Sequence, residues 1–287
     1  MGLPERPARA APVTGALRLD APAKLNLTLS VVGRRADGYH LLDSEFVLLE
    51  LADRLLLMPG CSGLRVEGEG AADLPVGEEN LAWRGFRAGL GGEPDLACLA
   101  LEKHIPASAG LGGGSSDAGA AWRLGRAWRG LPDAALEDEL VALAEIGADV
   151  PFFASGAAAA RVGGIGERIA PMAPVVRHVI LAHPPFGLST AAVFAELRPQ
   201  DWGSGGNDLL APARRLRPEL DELFATVTRA GGDPRLTGSG PTIYTLTDDP
   251  ERAAATAARL RESGGLRVTL TRTRHAAASI ERIIEED

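Results

Sequence analysis

Three short stretches carry residue types that can act on a phosphate or an alcohol. The first is Pro106 to Ala121, PASAGLGGGSSDAGAA, in which Gly110, Gly112, Gly113 and Gly114 strip side chains from a loop. Glycine tolerates φ > 0 and lets a ligand approach the backbone, so successive N–H groups there can converge on phosphate oxygens. Ser115, Ser116 and Asp117 then open an Ala-rich helix, whose first-turn donors are unpaired and whose dipole favours an anion by about 0.3–1 kcal/mol. A flexible Gly/Ser linker is the alternative, but such linkers rarely lie between an apolar strand and a helix. No Lys follows Gly114, so the ATPase pattern GxxxxGK[ST] is absent, and Asp117 stands where GxGxxG needs its third glycine.

The second stretch holds Lys24 and Asn26. Alternation over Leu17 to Arg34 sets Leu25, Leu27, Leu29 and Val31 on one face and Lys24, Asn26, Thr28 and Ser30 on the other, which predicts a half-buried strand presenting Lys24 and Asn26 side by side. The thirty basic residues are twenty-eight Arg and two Lys, Lys24 and Lys103. Chance aside, an ammonium that survives such a bias points to a compact charge with three donors, which a planar guanidinium does not replace. Asparagine is equally scarce: Asn26, Asn80 and Asn207 are the three in the chain. The third stretch is GADVPFF, where Asp149 is expected just past a helix end and Pro151 is expected to hold Val150 extended and stop further helix. The dipole disfavours an acid there, which suggests a functional carboxylate, an Asx-turn acceptor being the bland reading.

These residues need elements to hold them. After the first strand, Ala36-Asp37-Gly38 turns the chain past Tyr39 and His40 into an apolar run, Leu41 to Leu51, with further strands at Arg54 to Met58 and Leu64 to Glu67. A helix over Leu81 to Leu90 precedes a strand, Leu96 to Ile105, that delivers the glycine loop. Helices are predicted at 115–130 and 133–146, with Asp133 as N-cap of the second. A strand pair over Ala157 to Ile169 closes the first half, and Pro171 to Pro174 marks a boundary between domains at 1–171 and 172–287. The second half reads strand (Val175 to His183), helix (Ser189 to Leu197), helix (Pro212 to Ala230), two strands, helix (Glu251 to Glu262), strand (Leu266 to Thr273), the order of a ferredoxin-like split βαβ with an added helix. Thr237-Gly238-Ser239-Gly240-Pro241 joins its middle strands, suited to a ligand across the cleft or to an ordinary tight turn. Residues 276–287 read as a polar helical tail and 1–14 as a disordered leader.

Composition excludes several classes. Net charge is -8, and no basic run or aromatic-interleaved stripe suggests a nucleic-acid surface. Apolar runs are short and the N-terminus lacks a signal-peptide core, so a soluble cytoplasmic protein without a membrane partner is expected. Cys61 and Cys98 fit neither a zinc pattern nor a disulfide framework and are read as buried thiols. The five histidines form no HExxH pair.

Taken together, PAKLNLTL (22–29), the glycine loop and LTGSGPTIY (236–244) resemble the three motifs of the GHMP kinases, the superfamily of galactokinase, homoserine kinase and mevalonate kinase. Within it, GRRADGYHLLDSEF (33–46), GLGGGSSDA, GADVPFF and RLTGSGP are similar to the branch acting on 4-diphosphocytidyl-2-C-methyl-D-erythritol. The resemblance implies a two-domain α+β fold, with a ribosomal-S5-domain-2-like N-terminal domain and a ferredoxin-like C-terminal domain. It implies ATP-dependent phosphorylation of the 2-hydroxyl of that cytidine diphosphate ester by a monomer or homodimer. Another small-molecule GHMP kinase, or a non-catalytic nucleotide-binding regulator of the same fold, are the alternatives. Lys24 and Asp149 become the catalytic pair. Asn80 and Lys103 fall on the adenosine side, and the triphosphate on Pro106, Ala107, Ser108, Ala109, Gly110, Leu111, Gly112, Gly113, Gly114, Ser115 and Ser116. The substrate falls on Asn26, Tyr39, His40, Phe46, Thr190, Phe194, Gly238 and Gly240, with Tyr39 and Phe194 flanking the cytosine and His40 reading its edge. Mg²⁺ is implied, with Ser116 the one protein ligand suggested and ATP holding most of its coordination.

Overall fold

The structure is a computed structural model that describes residues 15–92 and 97–283; the leader expected over 1–14, the strand start expected at Leu96 and the last four residues lie outside the described residues. Two sheets form the frame. The first is built on β1 (Ala16–Arg34) and β2 (His40–Pro59), a long antiparallel pair. β3 (Gly63–Gly68) runs parallel to β4 (Ala97–Lys103), and β4 pairs antiparallel with the second half of β2. The first half of β2 pairs with β5 (Ala159–Gly164), which carries β6 (Arg168–Pro171). One strand thus serves two neighbours along its length, where the sequence reading placed separate strands at 41–51 and 54–58. The polar Ala52-Asp53-Arg54 step is not a break, because Asp53 is buried and bonded within the strand array.

Helices α1 (Leu81–Leu90) and α2 (Gly113–Trp128) pack on this sheet around Leu55, Leu57, Leu99, Phe86 and Leu124. α3 (Glu137–Ala144) starts later than expected: Leu136 is its N-cap, while Asp133 receives the Arg123 guanidinium at 2.6 Å. α4 (Val150–Ala154) corrects the reading of Pro151. Proline is accepted in a first turn, where its missing N–H has no intrahelical partner to lose, so Pro151 opens a short helix there.

The second sheet has the order β10-β7-β9-β8, all antiparallel, from β7 (His178–His183), β8 (Arg235–Leu236), β9 (Ile243–Thr247) and β10 (Arg267–Arg272). That order is the ferredoxin-like arrangement. α5 (Thr190–Glu196), α6 (Leu210–Leu216), α7 (Glu219–Arg229) and α8 (Pro250–Glu262) accompany it. The expected single helix over 212–230 is split because Pro218 forces Arg217 out of the helical region, to φ -137 and ψ 82. The tail is not helical over its described part: β11 (Glu281–Ile283) returns to pair with Ala16–Arg18 of β1.

Cys61 and Cys98 are joined in a disulfide, their Cα atoms 5.2 Å apart, which corrects the reading of two free thiols. The parallel register of β3 on β4, Gly63 beside Cys98, creates the proximity. Sequence spacing alone contains nothing of that long-range pairing.

Candidate active site

A cleft of about 1020 Å³ is lined from both halves of the chain. Its floor is β1, which is buried on both faces from Ala21 to Asn26 rather than on one. Two β-bulges, between Pro22 and Lys24 and between Asn26 and Thr28, take backbone groups out of the β1–β2 ladder. The Lys24 N–H donates instead to the Leu111 carbonyl of the glycine loop at 3.0 Å. The Asn26 N–H donates to Thr237 Oγ1 at 3.2 Å, and the Asn26 carbonyl accepts from the Tyr244 hydroxyl at 2.9 Å. One strand therefore touches the glycine loop and the second sheet within three residues.

Lys24 is 3% exposed. Its Nζ donates to Asn26 Oδ1 at 2.5 Å, lies 3.4 Å from Asp149 Oδ2 and sits 4.9 Å from the centre of the Phe46 ring. Asn26 donates from Nδ2 to Ser44 Oγ at 2.9 Å, which turns its amide oxygen toward the ammonium. Asp149 is the N-cap of α4 and makes no capping bond of its own, leaving the carboxylate to Lys24 and the cleft. Buried Phe152 anchors that helix edge-on against Phe46, 5.2 Å away, so the aromatic that underlies Lys24 also locates Asp149.

Along the glycine loop, Pro106 through Ser115 all line the cleft. Gly112 is the N-cap of α2 at φ 71 and offers no side-chain cap, so the first-turn N–H groups of a sixteen-residue helix are left for an anion. A Cβ at Gly112 would come within 3.1 Å of the Lys24 stem and 3.2 Å of Phe153, so only glycine lets loop and lysine meet. Ser116 departs from expectation. It is 0% exposed and its hydroxyl donates to the Pro22 carbonyl at 2.7 Å, away from the cleft, so it is not placed to hold a phosphate or a metal. Successive helix residues point about 100° apart, and Ser115 has the cleft-facing position.

Lys103 lines the cleft but is tied down between two buried carboxylates. Its Nζ donates to Asp53 Oδ2 and, at 2.6 Å, to Asp117 Oδ2. Asp53 Oδ1 also accepts the His104 and Ile105 N–H groups at 2.5 and 2.8 Å, fixing where β4 enters the glycine loop. Burial alone would lower the Lys103 pKa, and the Asp117 and Asp53 charges outweigh it and raise it; burial pushes Asp117 well above the usual carboxylate range. Asn80 also lines the cleft while capping α1: Oδ1 accepts from the Ala82 N–H at 2.9 Å and Nδ2 donates to the Pro75 carbonyl at 2.7 Å.

On the other side of the site, Tyr39 is 62% exposed at the cleft wall. His40 itself lies on Phe194, with ring centres 5.4 Å apart and planes at 25°, so the imidazole makes the stack that a base was expected to make. Burial and then the Arg34 charge hold His40 below the usual imidazole range, and a neutral ring stacks readily there. Thr190 shares a 2.9 Å hydroxyl contact with Ser239. Phe46, Thr190, Phe194 and Gly238 line the cleft; Gly240 does not, and its N–H closes a turn on the Thr237 carbonyl at 2.9 Å. Sequence reading missed Asp53, hidden in an apparent strand break, and Trp202, edge-on to His40 at 6.3 Å, which nothing in its surroundings marks.

Models of the GHMP kinases match this chain twice, the N-terminal domain over residues 80–157 and the C-terminal region over 191–266. The 4-diphosphocytidyl-2-C-methyl-D-erythritol kinase of Dinoroseobacter shibae is 41% identical over 267 residues, 84% of this chain and 88% of its own. That of Thermus thermophilus is 39% identical over 266 residues, 85% and 92% of the two chains. A crystal structure of 4-(cytidine 5'-diphospho)-2C-methyl-D-erythritol kinase matches with a TM-score of 0.73 at 36% identity, over 89% of this chain and 98% of that one. A homoserine kinase from Cytophaga hutchinsonii shares the fold, with a TM-score of 0.66 at 15% identity over 96% and 99%. On these likenesses the chain belongs to the GHMP kinases, in the 4-diphosphocytidyl-2-C-methyl-D-erythritol kinase family.

Proposed function

We propose that this chain phosphorylates the 2-hydroxyl of 4-diphosphocytidyl-2-C-methyl-D-erythritol with ATP, in the non-mevalonate route to isoprenoid precursors, and that Lys24 and Asp149 are its catalytic pair. The observation that carries the mechanism is the 3.4 Å approach of Lys24 Nζ to Asp149 Oδ2, beside a glycine loop that is hydrogen-bonded to Lys24 itself. Asp149 keeps 29% of its side chain exposed, so an alcohol can reach it. It accepts a hydrogen bond, and then the proton, from the attacking hydroxyl. Lys24 offsets the negative charge that gathers on the transferred group, in a site dry enough for that charge to count. A loose transition state asks little of base strength early on, so Asp149 contributes aim as well as the place to which the proton finally goes.

ATP, when bound, supplies the phosphoryl group. Pro106 to Ser115 and the open end of α2 would hold its phosphates, with Asn80 and Lys103 toward its adenosine. Asn26, Tyr39, His40, Phe46, Thr190, Phe194 and Gly238 would hold the cytidine ester. Among the described residues no group of three His, Cys, Asp or Glu gathers to hold a metal. With the Ser116 hydroxyl committed to Pro22, Mg²⁺ would be held mainly by ATP phosphate oxygens and water. We also take 1–171 and 172–287 as the two domains.

The test is Asp149→Asn. Turnover is expected to fall by about 10²- to 10⁴-fold while the nucleotide Kd stays near that of the wild type. Unchanged turnover would remove Asp149 from the mechanism.

A further inference from the structure

Asn207 is the third of the scarce asparagines, and the roles above use only the other two. Its backbone lies in a segment that runs along β1: the Leu29 N–H donates to the Gly206 carbonyl and the Asp208 N–H to the Leu29 carbonyl, each at 2.9 Å. Asp208, 1% exposed, holds that segment in place. Its carboxylate accepts from the Val31, Gly203 and Ser204 N–H groups at 2.8, 2.9 and 2.8 Å and from the Ser204 hydroxyl at 2.7 Å. The segment is therefore secured without the Asn207 side chain.

That side chain reaches the other way. Nδ2 donates to the Leu236 carbonyl at 3.0 Å and to the Gly238 carbonyl at 2.8 Å, while Oδ1 accepts from the Leu209 N–H at 2.9 Å. Both amide protons thus fix two carbonyls of one small-residue loop. The same loop meets the reacting region at three points. Thr237 Oγ1 accepts from the Asn26 N–H and donates to the Gly110 carbonyl at 3.3 Å. Gly238, at φ 55, lies so close that a Cβ there would stand 3.4 Å from Lys24 Nζ and 3.5 Å from Asn26 Oδ1.

We infer that Asn207 is a positioning residue for phosphoryl transfer, acting through the 236–240 loop to set Lys24 and Asn26 against the glycine loop; this rests on the kinase reading above. Only an amide fits the demand, since two donors and one acceptor are needed at once. A carboxylate of the same shape would face two carbonyl oxygens with its own. Simple structural glue would instead cost stability and leave the kinetic constants alone.

The experiment compares Asn207→Ala and Asn207→Asp with wild type, using whichever alcohol the wild-type chain phosphorylates, and follows hydrogen exchange of residues 236–240 with no acceptor present. Both variants are expected to lose kcat by about 10- to 100-fold. Both KM values should stay within about threefold, and exchange in the loop should rise. Combined with Gly238→Ala, Asn207→Ala should cost less than the product of the separate losses, because both act through one loop. Asn207→Asp keeps the Leu209 contact and serves if the alanine variant is poorly folded. A kcat near wild type, a loss confined to KM, multiplicative losses, or unchanged loop exchange would each overturn the inference. Failure of the wild type on the cytidine ester, with turnover of another alcohol, would overturn the substrate assignment alone.

Discussion

Lys24 has three N–H donors and three different neighbours: an amide oxygen, a carboxylate and the face of an aromatic ring. A compact ammonium serves three neighbours in three directions from one atom, which the planar fork of a guanidinium does not do. The bias of the chain toward arginine made Lys24 legible in the sequence. Lys103 was legible for the same reason, but its task is different in kind, since two buried carboxylates claim it. Ser116 was misread because a motif gives the order of residues and not the angle at which each leaves the helix. Tyr39 is the cleanest residue to test, since at 62% exposure it supports little of the core. Tyr39→Ala should raise KM for the cytidine ester by about tenfold, the worth of roughly one base–aromatic stack, with KM for ATP unchanged. Equal rises in both would put Tyr39 against the wrong ligand.

Most elements follow from local pattern, as the alternation of β1 and the Asn80 cap of α1 show. Pro151 and Pro218 were local signals read the wrong way, whereas Asp53 and the Cys61–Cys98 pair take their meaning from partners far along the chain, which no window of sequence contains. The disulfide closes a separation of 37 residues across the β3–β4 register. Chain-entropy reasoning assigns such a closure about 3–4 kcal/mol. Urea unfolding of Cys61→Ser, or of the reduced protein, should show a loss of that order, and coincident midpoints would mean the bond adds nothing. In the second sheet, His183 is buried between Thr242, at 3.0 Å from Nδ1, and Thr269, at 3.3 Å from Nε2, an arrangement that suits a neutral ring. Burial, and then the Arg267 charge, lower its pKa from 6.5 to about 4. The unfolded chain therefore takes up this proton first. The stabilisation is complete above pH 6.5 and is lost as pH falls toward 4, reaching about 2 kcal/mol by pH 5. His183→Gln should flatten that part of the stability profile; an unchanged slope would place the acid sensitivity elsewhere.

At the scale of the molecule, the two sheets are stitched together around β1 and β2. The Arg274 N–H donates to the Leu48 carbonyl at 2.8 Å, Leu51 N–H to Thr271 Oγ1 at 3.1 Å, and β11 closes on the start of β1. The three motifs that pointed to a kinase in the sequence are segments meeting at the cleft. What the motifs did not reveal is the hold between them: the bulges of β1, the Asp53 bond into β4 and the Asn207 side chain. Among the described residues no helix is long and apolar enough to cross a membrane. The most direct measurement is ADP release from ATP across a panel of acceptor alcohols that includes 4-diphosphocytidyl-2-C-methyl-D-erythritol, mevalonate and homoserine. Turnover should depend on the cytidine ester and be slight with the other two. Turnover with mevalonate or homoserine and none with the cytidine ester would contradict the proposed reaction.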